Sequence, residues 1–128
     1  MSERRAIESR QAPQAIGPYS QAVLRGRTLY LSGQIPLDPA SGALVGGSIA
    51  EQTHRVMQNL AGVLEAAGAS FSDVVMTTIY LTDLADFAAV NAVYASYLRP
   101  PYPARATVQV AALPKGVPVE ISMIAMLE

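Results

Sequence analysis

Residues 74–82 constrain the fold more than any other stretch, because β-branched and other apolar side chains occupy both faces of what reads as one strand. Alternation puts Val75, Ile79 and Leu81 on one side and Val74, Met76 and Tyr80 on the other. A strand that is apolar on both sides has to be covered twice. The chain offers two helices for the purpose. Ser48-Ile49-Ala50-Glu51 is a capping-box pattern, after which Ile49, Val56, Met57, Leu60, Val63, Leu64 and Ala67 recur at helical spacing and Gly68 supplies a stop. Thr82 or Asp83 caps the second, with Leu84, Phe87, Val90, Tyr94, Tyr97 and Leu98 as its stripe and Pro100-Pro101 as its end.

The remaining segments read as strands. Residues 21–25 and 28–33 flank Gly26-Arg27 and predict a hairpin. Asp38-Pro39-Ala40-Ser41-Gly42 is a turn, followed by a loop or short strand. Residues 105–112 and 118–126 give two more strands. The order is ββ(β)αβαββ, an α+β sheet with both helices on one face, in a single domain spanning 1–128 whose first eleven residues form a loose segment. Two helices cover one side of the sheet, so the other is expected to meet a second copy of the chain.

Composition agrees. The chain is 51% hydrophobic and only 15% charged, yet no apolar run reaches the ~20 residues of a bilayer span. Residues 1–12 mix Arg4, Arg5 and Arg10 with Glu3 and Glu8 and do not form a secretory signal, so a soluble, cytoplasmic protein is expected. Net charge is −1 and the basic groups are scattered, which argues against a nucleic-acid partner. Cysteine is absent and His54 is the only histidine. That excludes thiolate nucleophiles, disulfides and multi-histidine metal sites; the chemistry left is that of Arg, carboxylate, hydroxyl, amide and water.

Within the sheet two charges stand alone: Arg105, opening an otherwise uncharged run after Pro103, and Glu120 between Val119 and Ile121. Buried or half-buried charges are costly unless paired or used on a ligand. Arg105, Thr107 and Gln109 share a strand face, which is either solvated or an anion-binding face built on a guanidinium fork. Glu120 is either a structural partner of Arg25 or Arg105, or a general base whose apolar surroundings raise its pKa. Tyr19, in the Ile16–Ser20 turn, and Ser32-Gly33, at a strand end, add polar groups on turns; Gly33 permits close approach of a ligand to the backbone. Asn91 falls near the apolar stripe of the second helix, and His54 reads as a surface or packing residue.

Taken together, Ile16-Gly17-Pro18-Tyr19-Ser20-Gln21, Leu31-Ser32-Gly33-Gln34-Ile35-Pro36, Val90-Asn91-Ala92-Val93-Tyr94, Pro103-Ala104-Arg105 and Val119-Glu120-Ile121 closely resemble the Rid family of YjgF-type proteins, in family order from about Ala12 to Leu127. The resemblance implies a chorismate-mutase-like fold and a homotrimer around a central barrel, with sites in clefts between subunits. It implies hydrolysis of enamine and imine intermediates (2-aminoacrylate, 2-iminopropanoate, 2-iminobutanoate) to 2-oxo acids and ammonia, without a cofactor or metal. Carried over by position, Arg105 binds the substrate carboxylate and Glu120 positions or activates water, with Tyr19, Ser32, Gly33, Asn91 and Thr107 completing the pocket.

Two departures bear on substrate range: Thr107 stands where the family's archetype has cysteine, and the 91–105 segment is a little shorter. Ser122 replaces an acidic residue of the last strand, but Glu120 is retained and less consequence is expected. Two further readings stay open at this level: a non-catalytic sensor of 2-oxo acids, which needs the Arg but not Glu120, and a deaminase dedicated to one catabolic pathway. A ribonuclease is disfavoured by the single histidine and the lack of a basic patch.

Overall fold

The computed structural model describes residues 3–128. Ser48 caps the first helix, α1 (Ile49–Ala66): its hydroxyl accepts from the Glu51 amide while the Glu51 carboxylate accepts from the Ser48 amide. The reciprocal bonds satisfy two orphan donors and fix where the helix starts. At the other end Gly68 takes a positive φ of 76° and its amide bonds to the Glu65 carbonyl, the stop that its position predicts.

Six strands form one sheet: β1 (Arg5–Ile7), β2 (Ala22–Arg25), β3 (Thr28–Gln34), β4 (Val74–Leu81), β5 (Ala104–Gln109) and β6 (Val119–Met126). Their order is β1-β2-β3-β6-β4-β5, antiparallel throughout except for the parallel β4–β5 pair. The parallel pair is joined through the second helix, α2 (Phe87–Ser96), as a parallel crossover requires. Alternation then sorts the faces. Leu29 and Leu31, Thr77, Ile79 and Leu81, and Val119, Ile121, Met123 and Ala125 are buried under the helices with Val56, Met57, Leu60, Val63, Leu64, Val90 and Tyr94. The opposite face leaves Tyr30, Val108 and Met126 exposed and Met76, Tyr80 and Ile124 only partly covered. The α+β class with both helices on one face, and the apolar open face, are as the sequence predicts.

Four details differ. Residues 3–11 are not a loose segment: β1 pairs with β2 and buries Ile7, and the buried Gln21 side chain ties the chain down through Ser9, Ala12 and Pro13. Met1 and Ser2 lie outside the described residues. Val75 does not share a face with Ile79 and Leu81. A bulge between Val74 and Met76 reverses the alternation at that point, so that Val74 is buried and Val75 is 46% exposed. Asp83 caps a single 3-10 turn, Leu84–Asp86, rather than α2 itself, which leaves Leu84 exposed. The strand predicted over 105–112 ends at Gln109, whose side chain turns back to accept from the Leu84 amide.

Candidate functional site

Arg105 stands near the start of β5, the edge strand, on the side facing α2. Three residues of one α2 stripe meet its guanidinium. Asn91 accepts a hydrogen bond from Nη1 at 2.6 Å, and the Phe87 and Tyr94 rings lie 5.4 and 5.2 Å from its central carbon. Positions 87, 91 and 94 recur at helical spacing, so one helix face presents two aromatic surfaces and an amide to one cation. The Tyr94 hydroxyl bonds in turn to Thr77 Oγ1 on β4 at 2.7 Å in the buried core, fixing that ring. Contrary to the expectation of a buried charge, Arg105 is exposed in the single chain, and Asn91 is its only hydrogen-bond partner among the described residues. A groove of about 470 Å³ lined by Asn91, Tyr94, Ala95, Tyr102, Pro103 and Arg105 opens beside it.

Thr107 shares the strand face of Arg105 but does not line that groove. Its hydroxyl is buried and has no hydrogen-bond partner.

Glu120 belongs to a different place. It lies on β6 opposite Tyr80 of β4, on the sheet face turned away from the helices. Neighbouring β3 carries a bulge here: from Leu31↔Met123 to Gln34↔Ile121 it advances three residues while β6 advances two. The extra residue falls at Ser32-Gly33 and brings the Gly33 backbone against the Glu120 carboxylate. A Cβ at Gly33 would overlap Glu120 Oε2, so any side chain here would force the carboxylate or the bulge to move, whatever its own φ allows. Burial raises the Glu120 pKa above its usual 4.5, and no neighbouring cation contributes to the shift. Neither expected partner meets it in the single chain: Arg105 lies on the other face of the sheet, and Arg25 sits opposite Thr28 at the far end of β3 from Gly33.

A second groove, about 500 Å³, gathers Tyr19, Ser32, Gly33 and Glu120 with Gln14, Gln34, Ile35, Leu37 and Lys115. The Ser32 hydroxyl donates to the Ser20 carbonyl at 2.6 Å and its amide to the Gln21 carbonyl, which ties the Tyr19 turn to the bulge. Tyr19 is 53% exposed, with its hydroxyl accepting from the Ile16 amide. A larger cavity of about 620 Å³ under the N-terminal segment shares Gln14 and Tyr19 with this groove but holds neither Arg105 nor Glu120.

The predicted residues therefore fall into two sets on opposite faces of one sheet: Arg105 and Asn91 with α2, and Glu120, Gly33, Ser32 and Tyr19 on the open face. Sequence reasoning placed Phe87 and Tyr94 only in an apolar stripe; their spacing around Asn91 was the signal of a second use. Lys115, the only lysine, sits with φ 59° at the rim of the Glu120 groove, and nothing in its sequence context marked it. His54 is exposed and bonds to the Tyr97 hydroxyl at 2.9 Å, away from both grooves. Among the described residues no three His, Cys, Asp or Glu side chains converge as a metal site.

Comparison with known proteins covers nearly the whole chain. The profile of the endoribonuclease L-PSP family matches residues 9–127. The chain is 59% identical to protein DfrA of Myxococcus xanthus over 96% of its own length and 95% of that protein's. It is 52% identical to the human 2-iminobutanoate/2-iminopropanoate deaminase, over 96% of this chain and 90% of the human one. The structure superposes on RidA from an Antarctic Psychrobacter with a TM-score of 0.92 at 49% identity, covering 96% of this chain and 99% of that one.

Proposed function

Because the chain belongs to the endoribonuclease L-PSP family, the Rid or YjgF-type proteins, its two grooves need one chemistry that uses both, and we propose hydrolytic deamination of 2-imino acids and their enamine tautomers. The substrates are small, of the kind of 2-aminoacrylate, 2-iminopropanoate and 2-iminobutanoate, and the products are a 2-oxo acid and ammonia. The observation that carries this reading is the Arg105 fork, oriented by Asn91 and two rings yet left open toward its groove, where it takes the substrate carboxylate bidentately. Among the described residues no helix is long and apolar enough to cross a membrane.

Glu120 holds the attacking water. Its raised pKa makes it a better proton acceptor than an ordinary carboxylate. Water oxygen bonds to C2 of the protonated imine and gives up one proton to Glu120. The carbinolamine then takes that proton on nitrogen, and as the C–N bond breaks its hydroxyl passes its own proton to the Glu120 carboxylate, giving the 2-oxo acid and ammonia, which carries that proton away as ammonium. A protonated imine is already electrophilic, so orientation and water delivery supply most of what the step needs. Ser32, the Gly33 backbone and Tyr19 line the water side.

Arg105 and Glu120 face opposite ways in one chain, so the complete site forms where two copies meet. The open apolar sheet face, with Tyr30, Val108 and Met126 exposed, is the surface that draws them together, in the trimeric arrangement around a barrel that the resemblance implies.

The test generates 2-iminopropanoate in place with an amino-acid oxidase and traps what remains with semicarbazide. Wild type is expected to accelerate imine loss, and Arg105→Ala to abolish the acceleration in a folded protein. Equal rates with and without enzyme, for small and larger imines alike, would overturn the assignment and favour a 2-oxo acid sensor.

A further inference from the structure

Asn59 has no business in the core on propensity or polarity. It sits in the middle of α1, where asparagine is a poor helix former, and its side chain is fully buried. Its hydrogen bonds account for it. Nδ2 donates to the Ile35 carbonyl at 3.3 Å and the Leu37 carbonyl at 3.0 Å, while Oδ1 accepts from Arg55 Nε one turn earlier at 3.0 Å. Ile35 and Leu37 have just left the sheet; the last β3 ladder position is Gln34 against Ile121. Helix α1 contributes no residue to the Glu120 groove, yet its amide holds two carbonyls of the segment that, with Gly33 and Gln34, forms one wall of it.

We propose that Asn59, oriented by Arg55, is a positioning residue for the Glu120 half of the site, holding residues 33–37 so that the Gly33 backbone stays against the Glu120 carboxylate. This rests on the deaminase reading above and assigns a device within it. Without the amide the Ile35 and Leu37 carbonyls are left buried with fewer donors, a penalty that the segment relieves by moving toward water. Gly33 then withdraws, water reaches Glu120, and the attacking water loses its register. Arg105 and its groove, on the other face, are untouched.

Two variants test it. Asn59→Asp keeps the volume but sets an acceptor against two carbonyls, and Arg55→Met acts at a half-buried site whose loss spares the core. Each is checked for folding by thermal melt, then read by steady-state imine hydrolysis and by NMR titration of the Glu120 carboxyl. The titratable groups around that carboxyl are Tyr80 across the ladder and Tyr19 and Lys115 around the groove. The expected result is a kcat lowered about 10- to 100-fold in Asn59→Asp and about 3- to 10-fold in Arg55→Met, with KM within about twofold. Glu120 should titrate lower than in wild type, toward the ordinary carboxylate range. Should Asn59→Asp not fold, Arg55→Met decides. Unchanged kcat and unchanged titration, or a loss confined to KM, would overturn the assignment. Should wild type hydrolyse no imine, the functional reading fails separately, and the Glu120 titration still decides whether Asn59 and Arg55 set that carboxyl's surroundings.

Discussion

Gly33 is where a single methyl group decides the most. Gly33→Ala places a Cβ on the Glu120 carboxylate, so either the bulge or the glutamate must move. The expected outcome is a fall in kcat of about 100-fold with an intact fold, checked by kinetics alongside circular dichroism. Arg105→Lys keeps the charge but loses the planar fork and its stacking between Phe87 and Tyr94. Its kcat/KM should fall about 10- to 100-fold, chiefly through KM, because the lost interaction is made in the ground state as well. Glu120 makes a pH prediction. Its folded pKa is raised, by burial, so the folded state holds its proton more tightly than the unfolded one. That contribution to stability is fully present below the unfolded value and is lost as pH rises through the folded one. Catalysis runs the other way, since water activation needs the ionised form: the acid limb of kcat should lie above 4.5. In Glu120→Gln that limb should vanish together with most turnover, while the melting temperature loses its decline over the same window. A limb at or below the ordinary carboxylate value would mean that another group controls the rate.

At the scale of elements, α1 and α2 play different parts. The start and stop of α1 were legible in the sequence because capping is local: Ser48, Glu51 and Gly68 act within one turn of themselves. Ser48→Ala should therefore lower stability by about 1 kcal/mol and leave imine hydrolysis unchanged at assay temperature, since the cap lines neither groove. The departures from the predicted pattern share the opposite cause. Val75 and Ser32-Gly33 sit at bulges, which depend on the register of two strands distant in sequence, and no single-strand alternation announces them. Asn59 was equally silent, because its partners at Ile35 and Leu37 are more than twenty residues away and two are backbone atoms. Residues 5–7 escaped notice because an edge strand of three residues with one buried side chain has too little pattern to read. Tyr94 belongs to α2 by its apolar spacing and to the site by its ring, and only the ring's contact with Arg105 reveals the second role.

For the whole molecule, the sheet itself separates the two charges that the sequence singled out. Arg105 and Glu120 were both recognisable as isolated charges in apolar strands, yet alternation within each strand says nothing about which faces coincide after folding. Once β4 fixes Thr77 against Arg105 and Tyr80 against Glu120, the parity difference puts them on opposite sides. In the proposed reading, one chain therefore carries two halves of a site and completes neither. If the halves meet between copies, two inactive variants should rescue each other. Arg105→Ala subunits retain Glu120, and Glu120→Gln subunits retain Arg105. When the two are co-expressed or unfolded and refolded together at equal amounts, random assembly gives about one intact pairing in four, so activity should return to about a quarter of wild type. Simple mixing of the folded variants should restore little until subunits exchange, which makes the time course of recovery an independent check. An oligomer of mixed composition with no activity above either parent would place both residues of each working site in the same subunit, and the intersubunit assembly would have to be given up.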